Sequence, residues 1–332
     1  MHVRYQLPLD QGVIWSFETE GTTVGFLENF ASAMGLPPGE GEADRCIHFE
    51  VMPRETANFF GPRLLRSARG RPGREWKVRE YHDLIFFEHP SIHEIICEMD
   101  LGEDWPVRVH QMRRSLLPVY IDVLLAGGLP VHGALVEING SGVILAGRSG
   151  EGKSTACKRL SPPWRVLGDD LCLVVRDRFG NYRVHPLPTW SALEENGGSG
   201  VCRSGSSVPL RAVFFLEQFA EDECRDMKRS TMAISLAASA LQVFRSIDFR
   251  FPRGEDTSVK KALYENAASI AMATTSYLLR VSLQGRFWEK IEDVLGQVRQ
   301  LWRRRSRQSM GSSKIEVVFD ANRSIPDSES LF

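Results

Sequence analysis

Hydrophobic and polar positions divide the chain into short apolar runs and longer amphipathic stretches, a pattern typical of mixed α/β structure. Beyond residue 112 the apolar runs are short and partly β-branched, as buried strands are. The strands predicted there are Gly142–Ala146, Leu171–Val175, Val208–Glu217 and Tyr277–Leu283. The predicted helices are Arg113–Ala126, Ser154–Leu160, Ser230–Ile247, Ser258–Thr275 and Arg286–Trp302. We therefore expect an α/β domain over residues 113–302, with its chemistry at the strand ends.

The first 112 residues have a different pattern, in which several short segments alternate apolar and polar positions. One helix is predicted, at Thr23–Met34. The predicted strands are Ile47–Met52, Trp76–Tyr81, Asp83–Glu88, Ile92–Met99 and Pro106–Met112. We expect a smaller antiparallel α+β domain over residues 1–112, which recognises a substrate or mediates assembly.

Two further segments are distinguished by their charge. Within and just after the loop 61–73 lie five arginines, Arg63, Arg66, Arg69, Arg71 and Arg74. This cluster could dock an acidic or phosphorylated peptide, or it could be a solvated loop. Residues 303–332 begin basic and end acidic, which predicts a flexible tail, although Ile315–Phe319 could pair as an edge strand.

Composition narrows the class of protein. The 332 residues are 42% hydrophobic, enough for a full core, and carry a net charge of −1, which gives no case for a nucleic-acid or membrane partner. The chain begins without a signal-peptide pattern, and Asp122 interrupts its most apolar stretch, so we expect a cytoplasmic protein. Six scattered cysteines predict free thiols. His89 and His93 flank Pro90, which argues against a helical metal-binding pair.

Residues 147–154 fit the pattern GxxxxGK[ST] of a phosphate-binding loop. In such a loop, glycines let backbone N–H groups surround phosphate oxygens, the lysine adds a positive charge, and the hydroxyl can bind Mg²⁺. The preceding strand and the following helix supply the required context. The expected nucleotide-binding residues are Gly147, Arg148, Ser149, Gly150, Glu151, Gly152, Lys153, Ser154 and Thr155.

Two aspartates, Asp169 and Asp170, follow the loop and precede an apolar run. In small GTPases and in ABC-type and AAA-type ATPases, the Mg²⁺-side aspartate usually lies further on, at the end of a strand. Neighbouring side chains in an extended segment point to opposite faces, so we expect the two carboxylates to have different roles. Ahead of the loop, His132 stands at the predicted start of a strand.

Together, HGALVEINGSGVILAGRSGEGKST and LGDDLCLVV resemble the HPr kinase/phosphorylase family, which shares a nucleotide-binding core with phosphoenolpyruvate carboxykinase. The resemblance covers roughly residues 113–300 and implies a P-loop fold that uses ATP and Mg²⁺. It implies that Lys153 and Ser154 bind phosphates and Mg²⁺, that Asp169 is the catalytic base, and that His132 completes the site. Asp170 and Glu194 are the further metal candidates. Relatives of this kind often form homo-oligomers.

Departures from the family pattern bear on the substrate. Arg148 stands where the family commonly has an acidic residue, and the stretch 196–200 replaces a segment on the substrate side. HPr itself is therefore not the expected acceptor. The chain resembles divergent HPr-kinase-related proteins, among them those of radical-SAM peptide-modification cassettes.

The resulting hypothesis is a Mg²⁺-ATP-dependent phosphotransferase acting on a hydroxyl, a Ser or Thr of a protein or peptide. Arg148, Arg250 and Arg253 are candidate clamps on the transferred group. Three alternatives stay open: a small-molecule (sugar) kinase, an ATP-binding scaffold without transfer, and an NTPase. The resemblance also allows the reverse phosphorolysis.

Overall fold

The computed structural model describes residues 1–52, 76–81, 83–89, 93–148, 150–196, 202–249 and 257–296. These residues form mixed α/β structure with two sheets. Met1–Trp288 form one compact unit, and Glu289–Phe332 form a second, of which 289–296 are described. The domain boundary at residue 112 stays a prediction. The arginine loop, Arg250, Arg253 and the tail beyond residue 296 lie outside the described residues.

The first sheet is mixed and includes six of the described strands. They are β1 His2–Leu9, β2 Val13–Glu20, β3 Arg45–Val51, β4 Lys77–Glu80, β5 Leu84–Glu88 and β6 Glu94–Met99. Their order in the sheet is β1-β2-β3-β6-β5-β4. The expectation of a purely antiparallel sheet was wrong, because β2, β3 and β6 pair in parallel. Parallel pairing of β2 with β3 needs a crossover, which helix α1, Val24–Met34, supplies.

Aromatic packing holds α1 against one face of this sheet. The rings of Phe26 and Phe30 on α1 contact Phe49 on β3, and Phe30 also contacts Phe17 on β2. The helix ends at Gly35, whose φ of 61° lies in the left-handed region. A Cβ at Gly35 would overlap the carbonyl of Cys202, so this position requires glycine.

The predicted strand Pro106–Met112 was wrong, because this segment lies in helix α2, Trp105–Ser115. Pro106 occupies the first turn of the helix, where its missing N–H costs nothing. Val109 and Met112 are three residues apart and fully buried, which is a helical spacing. The single helix expected at 113–126 is instead two segments, the end of α2 and a second helix, α3 Leu117–Leu125. The two helices are separate because Pro118 lacks the N–H that would continue the hydrogen bonds of α2.

The second sheet includes eight of the described strands. They are β7 Leu129–Ile138, β8 Ser141–Ala146, β9 Arg165–Gly168, β10 Leu171–Arg176, β11 Tyr182–Pro186, β12 Val208–Gln218, β13 Glu223–Asp226 and β14 Thr275–Val281. Their order is β11-β10-β7-β8-β12-β14-β13, with β9 beside β7 and an additional β11–β12 pairing. The strands β8, β12 and β14 are parallel, while β7 and β8 form a hairpin at Asn139–Gly140, where both residues have positive φ.

Most helices after the glycine loop lie close to their predicted positions, but the helix at 190–196 was not predicted. They are α4 Lys153–Arg159, α5 Trp190–Asn196, α6 Arg229–Ser246, α7 Ser258–Ala273 and α8 over residues 287–296. Asn266 on α7 is buried, and its side-chain amide donates to the carbonyls of Leu124 and Gly128 at 2.6 and 2.8 Å. These bonds satisfy carbonyls at the end of α3 and hold α7 against it.

Two expectations from composition have an outcome in the structure. All six cysteines are free, as predicted. In the described part of the chain, none of the helices is both long and apolar enough to cross a bilayer.

Candidate functional site

The glycine-rich loop connects β8 to α4, as the sequence predicted. Gly150 and Gly152 have φ of 86° and 91°, in the region that strains any side chain. A Cβ at Gly147 would overlap the carboxylate of Glu151. Backbone conformation therefore requires glycine at Gly150 and Gly152, while the overlap at Gly147 involves only the flexible end of Glu151. Ser149 lies outside the described residues.

Two side chains form hydrogen bonds with the backbone of the loop. Glu151 accepts a hydrogen bond from the backbone N–H of Arg148 across the turn. Gln218, the last residue of β12, donates from its side-chain amide to the carbonyl of Gly150 at 2.8 Å. Sequence reasoning did not single out Gln218, although it ends the strand that pairs in parallel with β8.

Lys153, the first residue of α4, is only 7% exposed. Its ammonium donates to the carbonyls of Gly147 and Arg148 at 2.9 and 3.0 Å. Burial lowers the pKa of Lys153, while the nearby charges of Asp170 and Glu151 oppose this shift. The loop thus surrounds a largely desolvated ammonium group. Two of its three N–H donors bind these carbonyls, and the third is not used by them.

His132 and Asp170 meet because β7 and β10 are antiparallel neighbours. The register places His132 opposite Leu171, and the N–H of Gly133 donates to the carbonyl of Asp170 at 2.9 Å. His132 Nδ1 then lies 3.3 Å from Asp170 Oδ1, with the two side chains 15% and 20% exposed. His132 is the fourth residue of β7, inside the strand and not at its start.

The backbone of His132 is held by a residue that the sequence did not reveal. Ser239 on α6 accepts from the His132 N–H at 2.9 Å and donates to the His132 carbonyl at 3.1 Å. One hydroxyl therefore satisfies both backbone groups of His132. This contact forms because the tertiary structure packs α6 against β7. No local sequence pattern around Ser239 or His132 predicts it.

Asp169 contacts different residues from those that Asp170 contacts. Its Oδ1 accepts a hydrogen bond from the hydroxyl of Thr189, which directly precedes α5. Burial raises the pKa of the Cys157 thiol on α4 to about 12, and the charge of Asp169 adds to that shift. The charges of the two neighbouring carboxylates thus influence different side chains of α4, Asp170 the pKa of Lys153 and Asp169 the pKa of Cys157.

The remaining predicted site residues are exposed. Arg148, Ser154, Thr155 and Glu194 all present their side chains to solvent. Glu194 lies on α5, next to Leu193, whose carbonyl accepts from the Trp105 indole at 2.6 Å. His132 contacts Asp170, whose charge acts on Lys153, and no described contact joins Glu194 to these residues.

A buried tyrosine lies on α3. Tyr120 is fully buried, and its hydroxyl has no hydrogen-bond partner among the described residues. Burial raises the pKa of Tyr120, the charge of Arg113 opposes this shift, and the charge of Asp170 adds a smaller increase. Sequence reasoning did not single out this hydroxyl.

The fold and the site define a mixed α/β protein built around a strand, a glycine loop and a helix, with a lysine, a histidine and two carboxylates beside the loop. A family model described as "SynChlorMet cassette protein ScmC" matches residues 95–296, which is more than half of the chain. The chain belongs to this family. The matched region begins in β6 and contains every residue of the site described above.

Curated relatives extend the comparison. The chain is 27% identical over 153 residues to an HPr kinase/phosphorylase of Bacillus pumilus (strain SAFR-032), covering 42% of this chain and 49% of the relative. To that of Latilactobacillus sakei subsp. sakei (strain 23K) it is 32% identical over 124 residues, covering 34% and 39%. To that of Geobacillus kaustophilus (strain HTA426) it is 41% identical over 75 residues, covering 22% and 24%. The chain thus spans less than half the length of these relatives. The expected likeness to HPr kinases and to a cassette protein is confirmed.

Proposed function

We propose that the protein is a Mg²⁺-ATP-dependent phosphotransferase that transfers the γ-phosphoryl group to a hydroxyl, a Ser or Thr of a peptide or protein. The observation that carries the proposal is the convergence of Lys153, Asp170 and His132 beside the glycine loop. A buried cation, a carboxylate and an imidazole at one loop are the groups that positioning and proton removal require in phosphoryl transfer. The kinase name of the relatives supports the same class.

The residues of the loop fit a nucleotide triphosphate. Glycines with positive φ leave the loop without side chains that would block an approaching phosphate, and Lys153 carries its charge inside the curve of the backbone. Ser154 follows Lys153 and presents its hydroxyl to solvent, where it would hold Mg²⁺ together with a carboxylate or water. When bound, Mg²⁺-ATP supplies the phosphoryl group and neutralises its developing charge.

The contacts favour an exchange of the roles that the sequence suggested for the two aspartates. The charge of Asp170 acts on Lys153, and His132 Nδ1 lies 3.3 Å from the Asp170 carboxylate, which supports a place for this carboxylate near the phosphates. Asp169 is engaged by the hydroxyl of Thr189. We therefore assign the removal of the acceptor proton to Asp170, and the support of the metal through water to Asp169. The original assignment of the base to Asp169 is the rival that the experiment separates.

The proposal extends to partners and context. Residues 1–112 would recognise the peptide or protein, or mediate a homo-oligomer. Glu194 stays a proposed metal ligand and Arg148 a proposed clamp, since both lie on the exposed side of the elements that flank the site. A cytoplasmic location, and no partner among nucleic acids or membranes, belong to the same proposal.

The test is intact-mass spectrometry of a Ser/Thr peptide pool and a sugar panel, each incubated with the full chain and Mg²⁺-ATP. Asp169→Asn and Asp170→Asn are compared with wild type, and Asp104→Asn, an exposed aspartate at the start of α2, is the matched control. A phosphate-mass gain on peptide that Asp170→Asn removes and Asp104→Asn retains supports the proposal.

Other outcomes contradict it in distinct ways. Phosphate gain on sugars alone indicates a small-molecule kinase. ATP binding that survives both substitutions, without gain on any acceptor, indicates a scaffold. ATP hydrolysis that no acceptor stimulates indicates an NTPase.

A further inference from the structure

A second group of chemically active side chains lies in the first sheet. Because side chains alternate along a strand, β1, β2 and β3 each present every second residue on the face opposite α1. The register pairs Glu18 with His48 across β2 and β3, and pairs Ser16 with Cys46. His2 on β1 lies diagonal to Glu18, since it pairs with Glu20. Three neighbouring strands thus bring a carboxylate, a thiol and two imidazoles to one place.

Ligand atoms of this group lie close together, although Glu18 and Cys46 approach different ring nitrogens of His48, of which one ion would use one. Glu18 Oε2 lies 3.4 Å from His2 Nε2 and 3.9 Å from His48 Nδ1. Cys46 Sγ lies 3.2 Å from His48 Nε2. One ligand atom each from Glu18, Cys46 and His48 falls within 4.8 Å of the others. In a tetrahedral zinc site, bonds of about 2.0–2.3 Å place neighbouring ligand atoms roughly 3.3–3.6 Å apart.

The second oxygen of Glu18 is held by residues that would form an outer shell. Glu18 Oε1 accepts a hydrogen bond from the hydroxyl of Ser16 and lies 2.9 Å from Arg4 Nε in an ion pair, while Arg4 Nε donates to the Ser16 hydroxyl at 3.1 Å. These bonds fix the carboxylate so that Oε2 faces the imidazoles. Orientation of a ligating carboxylate by such partners is characteristic of built metal sites.

The surroundings favour a cation. A recess of about 550 Å³ adjoins the group, and its lining adds Glu40, Glu42 and Glu94 to Glu18, against the single guanidinium of Arg4. Carboxylates therefore outnumber the fixed positive charge in the recess. A divalent ion entering there would be attracted by the excess of negative charge.

We propose that Glu18, Cys46 and His48 form a three-residue binding site for a divalent transition-metal ion of the zinc class, with water completing its coordination. A thiolate, an imidazole and one carboxylate are the donors that such ions prefer, whereas Mg²⁺ and Ca²⁺ prefer oxygen alone. The site lies outside the residues assigned to phosphoryl transfer and does not depend on that assignment.

Metal affinity of the full chain is the first test. Chelator-treated protein is titrated with Zn²⁺ against a chromogenic competitor, and with Co²⁺ to detect the absorption of a thiolate-bound ion. We expect about one Zn²⁺ per chain, a cobalt–thiolate band, and at least tenfold weaker binding in Cys46→Ser and His48→Gln. Cys224→Ser, a half-buried thiol on β13, is the matched control and should bind as wild type does.

A second measurement uses the wild-type chain, so its result does not depend on whether the variants fold. Alkylation of each cysteine is followed by mass spectrometry with and without Zn²⁺. We expect Zn²⁺ to slow the alkylation of Cys46 and to leave Cys224 unaffected. Equal alkylation of Cys46 in both conditions, or undiminished Zn²⁺ binding by Cys46→Ser, would overturn the site.

Discussion

The two sheets place their polar side chains in different ways. In the second sheet the site gathers where β8 ends and β10 begins, and a loop between strand and helix supplies most of it. In the first sheet, Glu18, Cys46 and His48 lie within strands, on one face, where neighbouring strands align them. The loop site is therefore encoded in consecutive residues, while the strand site depends on register between distant segments.

The two sheets are also linked by a polar contact. The carboxylate of Asp10, in the turn between β1 and β2, lies 2.9 Å from His185 Nε2 on β11 and pairs with Arg183 at 3.1 Å. His185 is 1% exposed, and its other ring nitrogen lies 2.9 Å from the carbonyl of Ser204. The first sheet thus contributes a charged group to the edge of the second.

The largest expected effect concerns Asp170, the proposed general base at the second sheet. Asp170→Asn should lower acceptor-dependent turnover by about 10²–10⁴, because a positioned base contributes that much to proton transfer. Asp169→Asn should lower it less, since Thr189 can still donate to the amide oxygen. Single-turnover phosphate transfer measures both. A greater loss in Asp169→Asn would restore the base role to Asp169.

Next in size is the loss of the buried cation. Lys153→Ala should lower turnover by about 10²–10³, because the charge that stabilises the transferring group is removed from a desolvated position. Lys158→Ala, an exposed lysine on the same helix, is the control and should keep wild-type turnover. Neither substitution should change Zn²⁺ affinity at the first sheet. A coupled loss of zinc binding would show that the two sites are not independent.

A third prediction concerns stability at the end of α1. Gly35→Ala should lower the free energy of unfolding by at least about 2 kcal/mol, because it adds a Cβ at positive φ against the carbonyl of Cys202. Gly25→Ala, within α1 and facing open space, should raise it by about 0.5–1 kcal/mol. Chemical denaturation monitored by circular dichroism measures both. Equal effects at the two positions would contradict the packing described for Gly35.

The smallest expected effect tests the link between the sheets. Asp10→Ala should lower the free energy of unfolding by about 1–2 kcal/mol at neutral pH, because it leaves the buried His185 without its carboxylate partner. The hydrogen bond from His185 holds the pKa of Asp10 well below its usual range. The stabilisation should therefore be fully present above the unfolded-state pKa of about 4, and be lost as pH falls toward the folded-state value.

Unfolding curves of wild type and Asp10→Ala, measured across acidic and neutral pH, check this dependence. Glu28→Ala, an exposed position on α1, is the control and should differ little from wild type at any pH. If the difference in free energy of unfolding between wild type and Asp10→Ala grew as pH falls, its sign would be opposite to the expected one. The carboxylate of Asp10 would then not stabilise the contact between the two sheets.

Much of the second sheet was predictable, because its signals are local. The apolar runs at 142–146 and 171–175 are strands within one residue of their expected bounds, and the loop motif lies between a strand and a helix as expected. The strands β9, β11 and β13 of that sheet were not expected. In the first sheet, β3, β4, β5 and β6 lie within two residues of their expected bounds. The strands β1 and β2 were not expected, and 106–112 was assigned to a strand although its burial follows a helical period. Short alternating segments carry little information until their partners are known.

The sequence by itself determined the glycine loop, its lysine and the family likeness, because consecutive residues carry the conformational and chemical requirements of that loop. Only the tertiary structure decided which aspartate meets His132 and which meets Thr189, because adjacent side chains diverge and their partners come from distant segments. Tertiary structure alone also aligned Glu18, Cys46 and His48, since strand register is set by the packing of a whole sheet.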